Sequence, residues 1–297
     1  MNRRRAPAGK NGFTTIELLI ATALLLTVTA SVAALATPVR DAVERSLGRT
    51  DLTGGSRFAL DRLAADLRHA GSPPAVVPGA ARFETLVATI VPLADLDSGV
   101  VQSPGRAIRT VSVPYLAAQG VVSAAVASGA IQLSLGPAAP CTAVNAACGF
   151  RPGMLALLFD EIAAQFVTVQ SVGSAGEVRL MSPLTRSAPA GAVLTAIEIT
   201  TVGLRADADG SWRLVRRKQG SEQPVLDHVV SFEVETSGLD PLHVARVDLR
   251  LRLETASAAM RGPAGDLFRR AGTSRRAHQW VPDVELRTSI APRQVAP

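Results

Sequence analysis

The sequence has few histidines and lacks the motifs by which catalytic sites are usually recognised. Its four histidines are scattered along 297 residues without the spacing of a metal site or a catalytic triad. It contains no G-x-S-x-G elbow, no phosphate-binding loop, no H-E-x-x-H motif and no glycine-rich dinucleotide fingerprint. We therefore expect a protein that is not an enzyme and that needs no cofactor and no metal.

Cysteine is equally scarce. The only two cysteines, Cys141 and Cys148, bound a short loop that reads CTAVNAAC. No histidine or further cysteine lies near them at ligand spacing, which argues against a metal site or a catalytic thiol. If the loop lies in an oxidising compartment, a local disulfide between the two is the favoured interpretation.

Aromatic residues are few, at 4% of the chain, and the positive charge is unevenly placed. The formal net charge is +6, but four of the 31 basic residues lie within the first twelve positions, which contain no acid. Without these four, 27 basic side chains face 25 acidic ones. A near-neutral chain with few stacking residues is not expected to bind nucleic acid.

One long apolar run stands out. From Leu18 to Ala36 only threonine and serine interrupt it, and a helix of about 20 such residues crosses the ~30 Å core of a bilayer. The basic residues before it predict a cytoplasmic N-terminus and an outward domain. A secretory signal peptide, cut near Ala34 or Ala36, is the alternative. Glu17, just before the run, either marks the interfacial end of the helix or needs a partner there.

The segment around this glutamate resembles a known signal. The heptapeptide GFTTIEL, from Gly12 to Leu18, follows a short basic leader and resembles the class III signal of type IV prepilins and type II secretion pseudopilins. The resemblance implies cleavage by a prepilin peptidase between Gly12 and Phe13, with N-methylation of Phe13. It also implies that Glu17 pairs with the N-terminal amine of a neighbouring subunit. Such a partner would make a carboxylate near hydrocarbon tolerable.

The helix is expected to continue beyond the membrane as far as Ala70. Pro38 is expected to kink it, and the pair Gly54-Gly55 to loosen or break it, since each glycine costs roughly 1 kcal/mol in a helix interior. Farther on, apolar residues recur at helical spacing at Leu60, Leu63, Ala64 and Leu67. The predicted organisation is therefore a leader over 1–12, a transmembrane half over 13–37, an outer helical half over 38–70 and one β-rich domain over 71–297.

The domain reads as β because short apolar runs alternate with turn residues. The alternation is clearest in ARVDLRLRLE, where the apolar residues share one face and the charged ones the other. DADGSW, at Asp207 to Trp212, predicts a hairpin turn; as a calcium loop it would have Arg216 in place of the final glutamate. The span 117–130 is ambiguous between strand and loop, and 256–276 reads as a long loop. The predicted strands are Phe83 to Ile90, Ile108 to Val113, Ala130 to Leu135, Leu155 to Phe159, Gln165 to Val172, Glu177 to Leu180, Val193 to Leu204, Trp212 to Arg216, Val229 to Glu235, Val244 to Glu254 and Val284 to Thr288.

Three further segments extend the resemblance more weakly. RFALDRLAADLRHAG, from Arg57 to Gly71, is similar to the end of the long helix in PilW-type minor pilins and GspJ-type minor pseudopilins. The stretch from Gly153 to Val172 and the pair LDHVVSFEVE and VARVDLRLRLE resemble later parts of the same proteins. The implied fold class is α+β and pilin-like, with a long N-terminal helix packed on an antiparallel β-rich globular domain.

The resemblance also implies a function. It predicts a single-pass inner-membrane subunit with a periplasmic domain, which initiates or caps a type IV pilus or a type II secretion filament. Its partners would be other minor subunits, the major subunit and the prepilin peptidase. The alternative is a binding module at a filament tip, either an adhesin or a DNA-uptake subunit. Which of the two filament systems the chain serves stays open at this point.

Overall fold

The computed structural model contains two helices and fourteen strands in the part of the chain that it describes. That part comprises residues 14–75, 78, 83–136, 149–173, 176–240, 243–257, 260–261, 280–281 and 283–292. Gly12, Phe13, Cys141 and Cys148 lie outside it. The helices are α1 (Thr15–His69) and α2 (Phe83–Leu86); the strands are β1 (Ile90–Leu93), β2 (Ala107–Ser112), β3 (Gln119–Val122), β4 (Gln132–Gly136), β5 (Leu155–Phe159), β6 (Ala164–Val172), β7 (Glu177–Leu180), β8 (Val193–Ala196), β9 (Glu198–Ala206), β10 (Trp212–Lys218), β11 (Ser221–Leu226), β12 (Val229–Asp240), β13 (His243–Leu253) and β14 (Val284–Ile290).

Helix α1 is continuous for 55 residues and runs through both Pro38 and the glycine pair. The expected break at Gly54-Gly55 is therefore wrong. Gly54 faces open space, whereas a Cβ on Gly55 would lie only 3.0 Å from Cδ1 of Leu226 on β11. The helix persists because the residues on either side of the pair, Leu52 and Ala59, are buried against the domain. Packing of this kind outweighs helix propensity.

The end of α1 is tied to the domain. The backbone N–H of Ala70 donates to the carbonyl oxygen of Asp66 at 3.0 Å, and that of Gly71 donates to the carbonyl oxygen of Val111 at 2.9 Å. Gly71 has a φ of 72°, which glycine adopts without the steric cost that other residues meet. The chain thus leaves the helix already hydrogen-bonded to β2.

The strands form three units, and every strand pair in the described residues is antiparallel. A five-stranded sheet has the order β1-β2-β9-β10-β11, and a three-stranded sheet has the order β12-β13-β14. The strands β3-β4-β7-β6-β5-β8 close into a barrel, which lies in the sequence between β2 and β9. One long apolar N-terminal helix with antiparallel sheets makes the chain α+β.

The helix and the two open sheets share one hydrophobic core. Leu63 and Leu67 of α1 are buried in it together with Phe232, Leu249 and Leu251 of the three-stranded sheet. The barrel has a core of its own, formed by inward-facing side chains such as those of its β4 and β8 strands. A smaller third cluster joins the barrel to β2 and α2, where the rings of Phe83 and Phe159 meet edge to face with centroids 6.2 Å apart.

Most of the predicted strands are present, but two predictions are wrong in detail. The segment predicted as a strand from Phe83 to Ile90 begins as helix α2, because Phe83 is a buried anchor of the third cluster rather than one member of an alternating pattern. The segment from Val193 to Leu204 is two strands in two units, β8 of the barrel and β9 of the open sheet, separated at Ile197.

Three observed strands were not predicted, namely β1, β3 and β11. The first is four residues long, the second lies in the span that reads ambiguously, and the third is an edge strand that contains Pro224 and is largely exposed. Two other predictions are confirmed. The alternating strand β13 buries its apolar face, and DADGSW turns the chain between β9 and β10.

The two glycines of α1 give a matched pair for testing the helix. We expect Gly54→Ala to raise the free energy of unfolding by about 0.5–1 kcal/mol, because alanine loses less backbone entropy and the methyl group meets nothing. Gly55→Ala should gain less, since its methyl group must displace Leu226. Urea unfolding of the detergent-solubilised chain, followed by circular dichroism, measures both. An equal gain for the two variants would contradict the close approach of β11 at Gly55.

Candidate functional site

The first half of α1 stands clear of the domain. Its described side chains from Thr14 to Glu44 are all exposed, including those of leucines such as Leu26 and Leu35. Mean hydropathy reaches 2.3 over its most apolar 18 residues, so α1 is long and apolar enough to cross a membrane. Exposure of an apolar helix surface of this length to water is unfavourable, so the surface is expected to be covered by lipid or by protein.

Four hydroxyl groups in this half are bonded within the helix. Each donates to a backbone carbonyl oxygen three or four residues earlier, as Thr22 does to Leu18 at 3.0 Å. A hydroxyl satisfied in this way needs no water, so it does not oppose burial in hydrocarbon. The other donors with this geometry are Thr27, Thr29 and Ser31.

The start of α1 is a capping box made by Thr14 and Glu17. The backbone N–H of Glu17 donates to Oγ1 of Thr14 at 3.3 Å, and the backbone N–H of Thr14 donates to Oε2 of Glu17 at 2.9 Å. The Thr14 hydroxyl donates to the same Oε2 at 2.9 Å. Each residue thus satisfies a backbone donor that the helix end would leave unpaired. Glu17 therefore has a local partner, Thr14, which directly follows Phe13 in the sequence.

A buried ion pair joins the outer half of α1 to the five-stranded sheet. Nε of Arg216 on β10 donates to Oδ2 of Asp66 at 2.7 Å, and Nη2 donates to Oδ1 at 3.0 Å. The two side chains are only 9% and 16% exposed. The hydrogen bonds to Asp66 raise the pKa of Arg216, so the guanidinium stays charged. Bidentate pairing fixes both the rotation and the height of the helix on the sheet.

This pair was not singled out from the sequence, although one signal was available. Asp66 lies on the apolar face of the helix, next to Leu67 and one turn after Leu63. A lone acid on a buried face calls for a buried cation. Its partner is 150 residues away in the sequence, and nothing local identifies it as Arg216.

The acidic hairpin between β9 and β10 has the geometry of a turn. The side chain of Arg213 binds that of Asp207, and the hydroxyl and the backbone N–H of Ser211 both bind Oδ1 of Asp209. These hydrogen bonds from Ser211 lower the pKa of Asp209. Within the described residues, no group of three or more histidine, cysteine, aspartate or glutamate side chains is placed to hold a metal ion.

Of the predicted site residues, only Glu17 lies in the described part of the chain. The cleavage pair and the two cysteines fall outside it, so their predicted roles stay predictions. Comparison with known protein families finds none that matches this chain, and comparison with characterised proteins finds no match either. The candidate site is therefore α1 itself, with a capped acidic end, an exposed apolar half and an outer half fixed to the domain.

The importance of the buried pair can be tested by removing one partner. We expect Asp66→Asn to lower the free energy of unfolding by about 3 kcal/mol, because it removes the carboxylate that is bonded to the buried guanidinium of Arg216. The double variant Asp66→Leu, Arg216→Met should recover most of this loss, since both charges are gone. Urea unfolding of the detergent-solubilised chain measures the three proteins.

Glu44→Gln is the matched control for this series. It disrupts the pair that Glu44 forms with Arg40 on the same helix, where the two side chains are 45% and 81% exposed. An exposed pair of this kind contributes less than about 1 kcal/mol. If Asp66→Asn costs no more than Glu44→Gln, the ion pair does not hold the helix on the sheet.

Proposed function

We propose that this chain is a minor pilin or pseudopilin subunit that is anchored in the inner membrane and initiates or caps a type IV pilus or type II secretion filament. One observation carries the proposal: α1 is a single continuous helix with an exposed apolar half, which follows Glu17, and an outer half that is ion-paired to a β-rich domain. The apolar half of such a helix can contact lipid while the subunit is in the membrane and helices of other subunits after assembly. The prepilin-like segment around Gly12 and Phe13 supports the same function.

In this proposal the subunit catalyses no reaction; it acts by assembling with other subunits. In the membrane, lipid covers the apolar half of α1; in a filament, the same surface packs against helices of other subunits. Cleavage after Gly12 would create an amine on Phe13, one residue before the capping threonine. The carboxylate of Glu17 lies at that end of the helix, on the backbone of Thr14. An amine from a neighbouring subunit would find the acid already positioned there and would set the register between subunits.

The proposed orientation is supported by the charges before the helix. Arg3, Arg4, Arg5 and Lys10 precede the apolar run, which favours a cytoplasmic N-terminus and a periplasmic domain. In this proposal the prepilin peptidase acts on the cytoplasmic side, and the domain contacts other minor subunits and the major subunit outside the membrane.

A second candidate function is that of a binding module at the filament tip. The observation that favours it is the closed barrel, which is inserted between β2 and β9 and has a hydrophobic core separate from that of the helix and open sheets. A self-contained unit added to an anchored domain suits ligand display. Binding of labelled DNA by the full-length chain at graded salt tests the DNA-uptake version, for which affinity should fall steeply as salt rises.

Processing is the first prediction of the filament function. Protein purified from the membranes of its own host should begin at N-methylated Phe13 and lack residues 1–12. Intact-mass measurement and N-terminal sequencing detect both changes. A chain that still carries Met1, or one cut near Ala36, would contradict the proposal and leave an ordinary anchored or secreted β domain.

Glu17 gives the second prediction. Because an amide cannot form an ion pair with the amine of a neighbour, Glu17→Gln should reduce incorporation into filaments by about tenfold or more, a loss of about 1.4 kcal/mol or more. Cleavage after Gly12 should continue, since the substitution lies beyond the cut. Quantitative immunoblotting of sheared filaments and membranes separates the two effects. Glu44→Gln, on the same helix, should leave incorporation unchanged. Equal losses for both variants would contradict the proposed role of the Glu17 carboxylate in assembly.

A further inference from the structure

The outer face of the three-stranded sheet carries a groove lined with charged side chains. Because apolar and polar residues alternate along β13, the apolar ones face the core and the charged ones face outward. The groove has a volume of about 460 Å³, within the range of about 300–1,000 Å³ that ligand sites in proteins have. Six charged residues line this charged groove, three acids and three bases: Glu233, Glu235, Arg246, Asp248, Arg250 and Arg287.

Strand register arranges these charges in rows across the sheet. In one row Arg250 of β13 lies between Glu233 and Arg287, and in the next row Asp248 lies opposite Glu235. Arg246 of β13 begins the third row. Neighbouring rows are two residues apart along the strand, or roughly 6.8 Å. Along its centre the charged groove therefore presents base, acid and base at equal steps.

The first row is organised by a nearly buried acid. The side chain of Glu285 is only 9% exposed, and its Oε1 accepts from Nε of Arg250 at 3.0 Å and from Nε of Arg287 at 2.7 Å. One carboxylate oxygen thus orients two guanidinium groups, and Arg287 remains 64% exposed. The nearest other carboxylate on Arg250 is that of Glu233, at 3.6 Å from Nη1. Two oriented guanidinium groups form a ready receptor for an incoming carboxylate.

The second row is acidic. Asp248 is held by Nε of Arg246 at 2.8 Å, and this hydrogen bond lowers the pKa of Asp248, so the carboxylate stays ionised at neutral pH. Glu235 adds a second carboxylate across the strand pair. Two acids in one row attract a cation, and an ammonium group is small enough to approach both.

A fixed loop forms one wall of the charged groove. Pro104 lines it, and the following residue, Gly105, exchanges two backbone hydrogen bonds with Val234 of β12, at 2.8 and 2.9 Å. The backbone N–H of Thr236 also donates to Oγ of Ser103 at 3.3 Å. Because the wall is bonded to the sheet, the charged groove is present before any ligand arrives, which lowers the entropic cost of binding.

We propose that the charged groove binds an extended segment of a partner protein in which every second residue reads acid, base, acid. One face of an extended chain repeats at about 6.8 Å, the spacing of the rows. The first acid would bind Arg250 and Arg287, the base would bind Glu235 and Asp248, and the second acid would bind Arg246. Because the six groove charges cancel, a simple polyanion gains little. The site is on the domain and does not depend on filament assembly.

Fluorescence anisotropy with labelled peptides tests this site on the full-length chain in detergent micelles. The probe TETKTET carries acid, base and acid on one face, and TKTETKT carries the inverse. We expect TETKTET to bind about tenfold or more tightly than TKTETKT, because each of the three peptide charges faces groove charges of its own sign in the inverse peptide. The difference should shrink as salt is raised. Equal binding of the two peptides, or tighter binding of the all-acidic TETETET, would overturn the proposal.

Variants locate the binding. Arg287→Gln should weaken binding of TETKTET by about threefold, and Arg246→Gln should do so to a similar extent. Arg213→Gln is the control. Arg213 lies on β10, outside the charged groove, and pairs with Asp207, so this variant should leave binding unchanged. Circular dichroism verifies that each variant is folded. If the control loses binding, or if neither groove variant weakens it, the peptide binds elsewhere and the proposed site is refuted.

Discussion

The pair between Asp66 and Arg216 is the contact on which the arrangement of this protein depends. It is bidentate and nearly buried, and it joins the long helix to an interior strand of a sheet rather than to an edge strand. Hydrophobic contacts are not directional, so leucine and alanine side chains alone define the register of α1 less precisely than a bidentate ion pair does. Two parallel hydrogen bonds between charged groups permit one arrangement, because any other leaves a charge buried without a partner.

A fixed outer half explains how the inner half can be so exposed. The helix is held from Leu52 onward by burial against both open sheets, and the earlier turns extend it away from the domain. Helix formation is cooperative. Once a segment is helical, each further residue loses its own conformational entropy but adds one hydrogen bond, so a docked segment favours extension of the helix. The apolar surface between Thr15 and Ala36 is then available as a whole to lipid or to other helices. The proposed filament function requires both properties of the same helix.

The sequence predicts those parts of the fold whose signal is periodic. Spacing of 3.6 residues identified the buried face of α1, and spacing of two identified both faces of β13, because in each case a long element alternates between core and solvent. Continuity through Gly54-Gly55 was not predictable, since it depends on the burial of Leu52 and Ala59 against the domain. β11 itself was missed because an exposed edge strand has no apolar pattern. The division between β8 and β9 at Ile197 leaves no clear mark either, because that residue is buried and apolar like Ala196 before it, with no glycine, proline or turn residue between the strands. The Asp66–Arg216 pair and the charged groove arise from long-range pairing and strand register, which one sequence does not specify.

The barrel is held at a defined angle to the helix, although it is an insertion. Val111 of β2 accepts the hydrogen bond that ends α1, and its side chain belongs to the cluster that contains Phe83, Leu157 and Phe159 of the barrel interface. One strand therefore contacts the helix end through its backbone and the barrel through its side chain. Aromatic and aliphatic contacts of this kind resist rotation because their side chains are buried and would lose these contacts if the barrel turned. A displacement of α1 would move the barrel with it. Any ligand or partner bound by the barrel would therefore be presented in a fixed orientation to whatever surrounds the apolar half of the helix.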